Sequence, residues 1–257
     1  MWVKFADVAA THVPAPTKIL DLGSGPGEPG CTLAKRFGCY TVVSDVAPPM
    51  AALAQKRVAD RNLSNAETMT LDIADLSALE DASFDLVTAS HCFQFCPEKD
   101  KACSEAFRVL RPGGVFIAAV WEEVELMKIA GGIMQQIVGA TPGAAPAPFN
   151  PNGPLGLQDP EVFDGLLSAA GFEFTDEHNM LSHWDAISLG ELEGEVGFKM
   201  GVLPLWDKIA ELAEGPIPDA WEKAHAAWRA VGANYVNKDG IVTFSGRMRF
   251  AICRKPT

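Results

Sequence analysis

Residues 19–30 read Ile-Leu-Asp-Leu-Gly-Ser-Gly-Pro-Gly-Glu-Pro-Gly, and no other stretch restricts the fold as much. Ile19 to Leu22 form a short, β-prone apolar run. A glycine turn follows, and Cys31-Thr-Leu-Ala-Lys-Arg-Phe37 is helix-compatible. A strand that runs into glycines and reopens as a helix offers bare backbone N–H groups to a ligand. Gly25 to Gly30 also satisfies the loose G-x-G-x-x-G pattern of dinucleotide turns, which selects weakly by itself. Asp21 narrows the reading. A nicotinamide-binding strand usually reaches its glycines through apolar residues, whereas here a carboxylate precedes Gly23 by two residues. At the mouth of the turn it would repel a pyrophosphate and suit a cation or a ligand amino group. Pro26, which has no N–H, also sits poorly in a phosphate turn.

Strands and helices alternate through the first half, which predicts a parallel sheet covered on both faces. The expected order is a helix over 2–12, strands at 18–22, 40–45, 67–71 and 84–89, and helices near 30–37, 49–62 and 98–110. Pro112-Gly113-Gly114 then turns the chain into a fifth strand ending at Trp121. Asp45 closes the second strand 22 residues after Gly23, the spacing at which a second-strand carboxylate meets ribose hydroxyls. Taken together, Asp21 to Gly27, Asp45, Asp72, Phe84-Asp85 and Arg108-Val-Leu-Arg-Pro-Gly-Gly114 resemble the class I S-adenosylmethionine-dependent methyltransferases of the small-molecule branch. The resemblance is close over residues 1–121 and loose over 155–184 and 240–256.

The resemblance implies an α/β fold: a doubly wound, mostly parallel seven-stranded sheet of Rossmann-like type, with a helical insertion between the last two strands. It implies S-adenosyl-L-methionine as cofactor, with Gly23, Ser24, Gly25 and Gly27 against its methionine and ribose. Asp21 would hold the ammonium and Asp45, with Val46 beside it, the ribose hydroxyls. Asp72 would meet the adenine amino group, next to the backbone of Ile73. Ser90-His-Cys-Phe-Gln-Phe95 leaves the fourth strand at the edge where open α/β sheets bind ligands, so Ser90 is expected near the sulfonium. His91 there reads either as a general base on the acceptor or as a packing residue. Gln94 and Trp121 are the further candidates for acceptor contact. Phe95 reads as core or shelf, Glu105 and Arg108 as a helix-surface pair, and Arg247 with Arg249 as one solvated strand face. The implied reaction is methyl transfer to oxygen, nitrogen, carbon or sulfur of a small molecule by in-line displacement. Two other readings remain open on the residues: a nicotinamide-dependent oxidoreductase and a cofactor-binding module without turnover.

Beyond Trp121 the pattern changes. Residues 122–140 are helix-prone, and Thr141 to Gly156 holds five prolines and three glycines, a loop. A helix capped by Asp159-Pro160 leads to a sixth strand over 172–183, and Ile241 to Cys253 reads as the last strand. Residues 186–236, with Trp206, Trp221, Trp228 and Tyr235, are expected to form a helical lid within a single methyltransferase domain over 1–257. The same rings could instead form a small core of the insertion's own. At net charge −12 without a basic cluster, neither nucleic acid nor an anionic membrane is an expected partner. The longest apolar run, Val115 to Trp121, is too short to cross a bilayer. The six cysteines form no C-x-x-C pair and read as reduced, buried thiols, and no metal site is expected. The charged N-terminal stretch does not resemble a signal peptide, and a cytoplasmic location is expected.

Overall fold

The computed structural model describes residues 2–138, 152–153, 156–202 and 219–257. The expected Pro-rich loop falls almost entirely outside these residues, and Trp206 lies outside them too. The chain divides into two compact units. The first comprises Met1–Glu122, Phe149–Ser182 and Met248–Thr257, and the second Glu123–Pro148 and His183–Arg247.

In the first unit α1 (Trp2–His12) precedes the alternation β1 (Lys18–Leu22), α2 (Gly30–Phe37), β2 (Tyr40–Asp45), α3 (Pro48–Asp60), β3 (Ala66–Thr70), β4 (Phe84–Ser90), α4 (Lys99–Val109) and β5 (Leu110–Val124). Then come α6 (Pro160–Ala169), the two-residue β6 (Glu173–Phe174), β7 (Met180–Glu191) and β8 (Ile241–Arg254); β7 from His183 on, β8 up to Arg247, and α5 (Glu125–Val138) belong to the second unit. The strand order is β3-β2-β1-β4-β5-β8-β6, and β7 pairs with β8. β1 lies parallel between β2 and β4, in register Asp21 with Val43 and Asp21 with Thr88. The order reverses beside β1, so the carboxyl ends of β1, β2 and β4 frame the crevice where such sheets take ligands.

The reason for this arrangement is visible in the burial. β4 is buried at every position, and so is β1 after Lys18, as expected of central parallel strands covered on both faces. Leu20, Leu22, Phe84, Phe93, Phe116, Phe163 and Phe172 belong to one continuous core. Phe116 meets Phe93 edge-on at 5.4 Å and stacks on Phe172 at 5.4 Å. α3 starts with Pro48 and Pro49 at its first positions, where a missing N–H costs nothing. α2 ends on Gly38 at φ 66°.

Eight strands replace the expected seven among the described residues. The run read as one sixth strand is two, because the chain turns between Phe174 and Met180. Asn179 takes φ 63° there and its N–H donates to Phe250 O. β7 then continues to Glu191, so the first residues of the expected helical insertion are strand. β5 begins at Leu110, and its register slips between the pairs Phe84–Leu110 and Leu86–Val115; the Pro-Gly-Gly sequence sits inside a strand irregularity instead of ahead of the strand.

The second unit gathers α5, α7 (Glu195–Val202) and α8 (Ala220–Gly232) around Trp228, which is fully buried. Gly197 and Gly201, one helical turn apart on α7, lie against its ring; a Cβ on Gly201 would come within 2.2 Å of a ring carbon. The indole N–H donates to Leu192 O at 2.7 Å. Trp228 is therefore core, whereas Trp221 is half exposed. The strongly apolar α5, read from sequence only as helix-prone, shares this core through Ile129, Ile133 and Ile137.

Candidate functional site

The glycine turn is held from below by Asp21. Its carboxylate is fully buried: Oδ2 accepts from Gly30 N at 2.7 Å and Ser24 Oγ at 2.5 Å, and Oδ1 accepts from Thr88 Oγ1 at 2.6 Å. Burial pushes its pKa from 3.8 up to about 7, against these three hydrogen bonds, which pull it down. This corrects the expectation of a carboxylate at the mouth of the turn. On a strand covered on both faces the side chain points beneath the glycines, where backbone and hydroxyl donors converge. Ser24 is likewise turned inward, its hydroxyl on Asp21 and its N–H on Ser44 O at 2.7 Å. Gly27, at φ 105°, is buried against Ala54.

Gly23 and Gly25 remain at the surface of the turn. Gly23 has φ 61°, and a Cβ there would lie 2.4 Å from the Cβ of Cys92, so the turn and the segment after β4 are in direct contact. Gly25 has φ 53° and open space where a Cβ would stand. Its N–H donates to Asp45 Oδ2 at 2.8 Å, and Asp45 Oδ1 accepts from Ala47 N at 2.9 Å. Each Asp45 oxygen thus retains accepting capacity, on a half-exposed carboxylate fixed at the end of β2.

A cavity of about 400 Å³ opens beside this turn. Gly23, Asp45, Val46, Asp72 and Ile73 line it, together with His91, Cys92, Phe95, Cys96 and Pro97 from the segment leaving β4. Six of the residues singled out from sequence therefore meet here. Asp21, Ser24, Gly27, Ser90, Gln94 and Trp121 are not among those lining it; Phe95, read as shelf or core, and Cys92, Cys96 and Pro97 are. A period-two reading could have shown the cavity-facing residues only up to Ser90, because the chain leaves strand geometry at His91.

Asp72 is exposed and accepts from Ala74 N at 2.9 Å. The loop behind it is tied down by α4. Glu105 accepts from Leu76 N at 2.6 Å, and Arg108 donates to Leu76 O at 2.7 Å and Leu79 O at 3.0 Å. The pair read as helix-surface decoration is a clamp on the loop that carries Asp72 and Ile73.

His91 stands in the left-handed region at φ 56°, uncommon for a residue with a Cβ. Its N–H donates to Ala119 O at 2.8 Å, its Nδ1 is 2.9 Å from Ser90 Oγ, and its ring meets Trp121 edge-on at 4.4 Å. Burial lowers its pKa to about 4, so the imidazole is neutral near pH 7. Ser90 and Trp121 thus bear on the cavity through His91. Burial also pushes the Cys92 and Cys96 thiols up, which keeps them protonated. Gln94 is fully buried on the 3₁₀ turn Phe93–Phe95.

Arg249 departs most from its sequence reading. It is buried, and donates to Asn179 Oδ1 at 2.8 Å and Leu157 O at 2.6 Å, with Glu122 at 3.6 Å. β8 alternates in burial up to Arg247 and is buried throughout from Met248 to Cys253, so two residues on one strand face have different surroundings. Among the described residues no group of three His, Cys, Asp or Glu is placed to hold a metal ion, and no helix is long and apolar enough to cross a membrane.

A doubly wound sheet, a glycine turn at its switch point and an acid closing the second strand fit the class I S-adenosylmethionine-dependent methyltransferases, and the chain belongs to that family, in which it transfers a methyl group from S-adenosylmethionine to a small-molecule acceptor. The model of a methyltransferase domain matches residues 20–118. The chain is 33% identical over 171 residues to the demethylmenaquinone methyltransferase of Thermus thermophilus, covering 62% of this chain and 75% of that protein. It is 31% identical over 128 residues to a ubiquinone/menaquinone biosynthesis C-methyltransferase of Nitrobacter hamburgensis, covering 48% of this chain and 51% of the relative; it thus spans about half the length of that enzyme. In fold it is similar to phosphoethanolamine N-methyltransferase 2 of Haemonchus contortus, solved with phosphomonomethylethanolamine and S-adenosylhomocysteine. The TM-score is 0.53 at 16% identity, over 100% of this chain and 53% of that one.

Proposed function

We propose that residues 20–97 hold S-adenosylmethionine in the cavity beside the glycine turn and that the chain methylates a small molecule presented from the side of His91. One observation carries this reading: Gly23 of the turn, the Asp45 carboxylate closing β2, Asp72 and the segment leaving β4 all line one cavity. The residues present suit the cofactor. Asp45 has lone pairs left for two ribose hydroxyls, Asp72 for an exocyclic amine, and Val46 and Ile73 supply apolar surface between them. The unobstructed Gly25 lets a ligand approach the main chain. Asp21 and Ser24 serve by holding the turn, and the Gly23–Cys92 contact sets the distance between turn and acceptor wall.

When bound, S-adenosylmethionine supplies an activated methyl group on a sulfonium. What the protein has to add is placement: in-line alignment of a second reactant contributes roughly 7–11 kcal/mol. His91, neutral and fixed by Ser90 and Trp121, faces the acceptor and receives its proton where the acceptor has one to lose. The relatives' names point to a quinone-type acceptor. Segment 186–236 supplies acceptor selection as a lid. The chain acts in the cytoplasm without nucleic acid, in keeping with its net charge of −12.

The test is calorimetry with S-adenosylmethionine, S-adenosylhomocysteine, NAD and NADP, together with mass spectrometry of ligand co-purified with the protein. Binding of the first two alone, and recovery of S-adenosylhomocysteine, is the expected outcome. Preferential binding of a nicotinamide would overturn it. For the lid, hydrogen exchange is expected to show acceptor-dependent protection within 186–236; protection confined to other segments would rule it out.

A further inference from the structure

Leu76 is fully buried, yet both of its main-chain polar groups are held by side chains of one helix, α4. Its N–H donates to Glu105 Oε2 at 2.6 Å, and its carbonyl accepts from Arg108 Nη2 at 2.7 Å. The two side chains are themselves joined twice, Arg108 Nε to Glu105 Oε1 at 2.8 Å and Nη2 to Oε2 at 2.9 Å. Arg108 Nη1 also donates to Leu79 O at 3.0 Å. An ion pair that only decorates a helix face needs none of these main-chain bonds. Here both charges are spent on one short loop.

That loop carries two of the residues lining the cavity, Asp72 and Ile73. Asp72 Oδ1 accepts from Ala74 N at 2.9 Å, and Asp72 O accepts from Asp75 N at 2.9 Å. Asp72 to Asp75 is therefore one tight turn that runs directly into the clamped Leu76. On the other side Leu71 N donates to Asp45 O at 3.1 Å, which ties the loop to the end of β2. Asp72 is thus suspended between two anchors, one on β2 and one on α4. The same helix serves a second lining segment. Its first residue, Lys99, donates to Cys96 O at 2.7 Å, and Cys96 lines the cavity as well. One helix thereby fixes two parts of the cavity relative to each other. The Asp72 carboxylate is exposed, and its bond to Ala74 N lies within the turn itself, so its direction follows wherever the turn is held.

We propose that Glu105 and Arg108 are positioning residues for the cofactor base: by fixing Leu76 they aim the Asp72 carboxylate, and so set how strongly the protein prefers a purine with an exocyclic amine to one with an oxo group in its place. This rests on the reading of the cavity as the S-adenosylmethionine site with Asp72 at the adenine amine. A carboxylate held in front of an amine accepts a charge-assisted hydrogen bond and repels a carbonyl oxygen. A carboxylate on a loosened turn swings into water and does neither well. Neither Glu105 nor Arg108 has to touch the ligand.

The test is calorimetry of the whole chain with S-adenosylhomocysteine and S-inosylhomocysteine, which carries an oxo group in place of the amine. The wild type should prefer the first by about tenfold or more, the worth of one charge-assisted hydrogen bond, and Asp72→Ala should lose that preference. Glu105→Ala, its fold verified by circular dichroism, should cut the preference by about threefold or more, and on the Asp72→Ala background should change it no further. Arg108→Lys keeps the charge but not the fork that holds Leu76 O, Leu79 O and Glu105 together, and should reduce the preference in the same direction. It decides the matter alone if Glu105→Ala does not fold. Equal weakening of both ligands, or no change in either, would make the clamp purely structural and overturn the proposal. A further change of preference on the Asp72→Ala background would equally overturn it, because the effect would not run through Asp72. A wild type without preference, or a preference that survives Asp72→Ala, would take Asp72 from the amine and overturn the proposal at that step. Failure of the wild type to bind either ligand would instead remove the site reading itself.

Discussion

Asp21 allows a prediction that can be worked from the geometry. Its carboxyl is buried and its pKa is raised from 3.8 to about 7, chiefly by desolvation. A carboxyl whose folded pKa lies above its unfolded value favours the fold most below pH 3.8. That contribution declines as pH rises to about 7 and is constant above it. At about 1.4 kcal/mol per tenfold, the whole change is about 4 kcal/mol, of which about 3 kcal/mol falls between pH 5 and 8. Asp21→Asn removes the titration and keeps the bonds. The amide oxygen can take the place of Oδ2 before Gly30 N and Ser24, and Thr88 Oγ1 can accept from the new NH₂ while turning its proton to Leu20 O, 3.5 Å away. The expected result, from urea unfolding at pH 5 and pH 8, is that the variant matches the wild type at pH 5 and exceeds it by about 3 kcal/mol at pH 8. Asp21→Ala, by contrast, leaves the Gly30 N–H without an acceptor and should be the less stable protein at pH 5 by roughly 1–3 kcal/mol. If the wild-type and Asp21→Asn curves run parallel from pH 5 to 8, the carboxylate ionises freely and the buried-charge argument fails. S-adenosylhomocysteine binding by Asp21→Asn should stay within about threefold; a loss beyond tenfold would return Asp21 to the ligand ammonium.

Asp45→Ala should weaken S-adenosylmethionine binding at least tenfold in calorimetry while the protein stays folded, since charge-assisted hydrogen bonds are worth roughly 1.5–3 kcal/mol each; unchanged affinity would move the ribose contact elsewhere. Gly23→Ala should lower the melting temperature markedly, and Cys92→Gly introduced on that background should recover part of the loss, because the clashing atom is the Cys92 Cβ. Additive effects in that cycle would contradict the contact. The His91 ring, followed by NMR, should show no titration between pH 5 and 8, consistent with its pKa near 4; a midpoint near 6.5 would show that it is solvated. Methyl transfer, assayed on the acceptor once found, should survive EDTA, since a sulfonium methyl needs no Lewis acid; loss with recovery on adding magnesium would indicate a bridging metal.

The elements up to Val109 were legible because strand, turn and helix signals alternate there without interruption. α1, β1, α2 and β2 stand where apolar runs and glycines place them. The direction of Asp21 was not legible. Where a strand is buried on both faces, alternation carries no inside or outside, so a carboxylate two residues before the glycines reads equally as ligand contact and as turn support. The same limit hid Arg249, whose strand passes from one covered face to two within a few residues. β6 and β7 merged in the sequence reading because Asp176 to Asn179 contains no glycine or proline; the turn relies on an asparagine in the left-handed region. The clamp of Glu105 and Arg108 on the Asp72 loop joins residues 29 to 32 positions apart, beyond any local pattern.

The burial of Trp228 gives the chain an internal optical label. Its indole is enclosed by α7 and α8 and bonded to Leu192 O, so its emission belongs to the second unit alone. Trp121, its ring 4.4 Å from His91, belongs to the first. A chain in which Trp228 is the sole tryptophan and one in which Trp121 is the sole tryptophan would therefore melt under two separate spectroscopic channels. Coincident curves would mean the two units unfold as one cooperative system, and displaced curves would give each its own free energy without cutting the polypeptide.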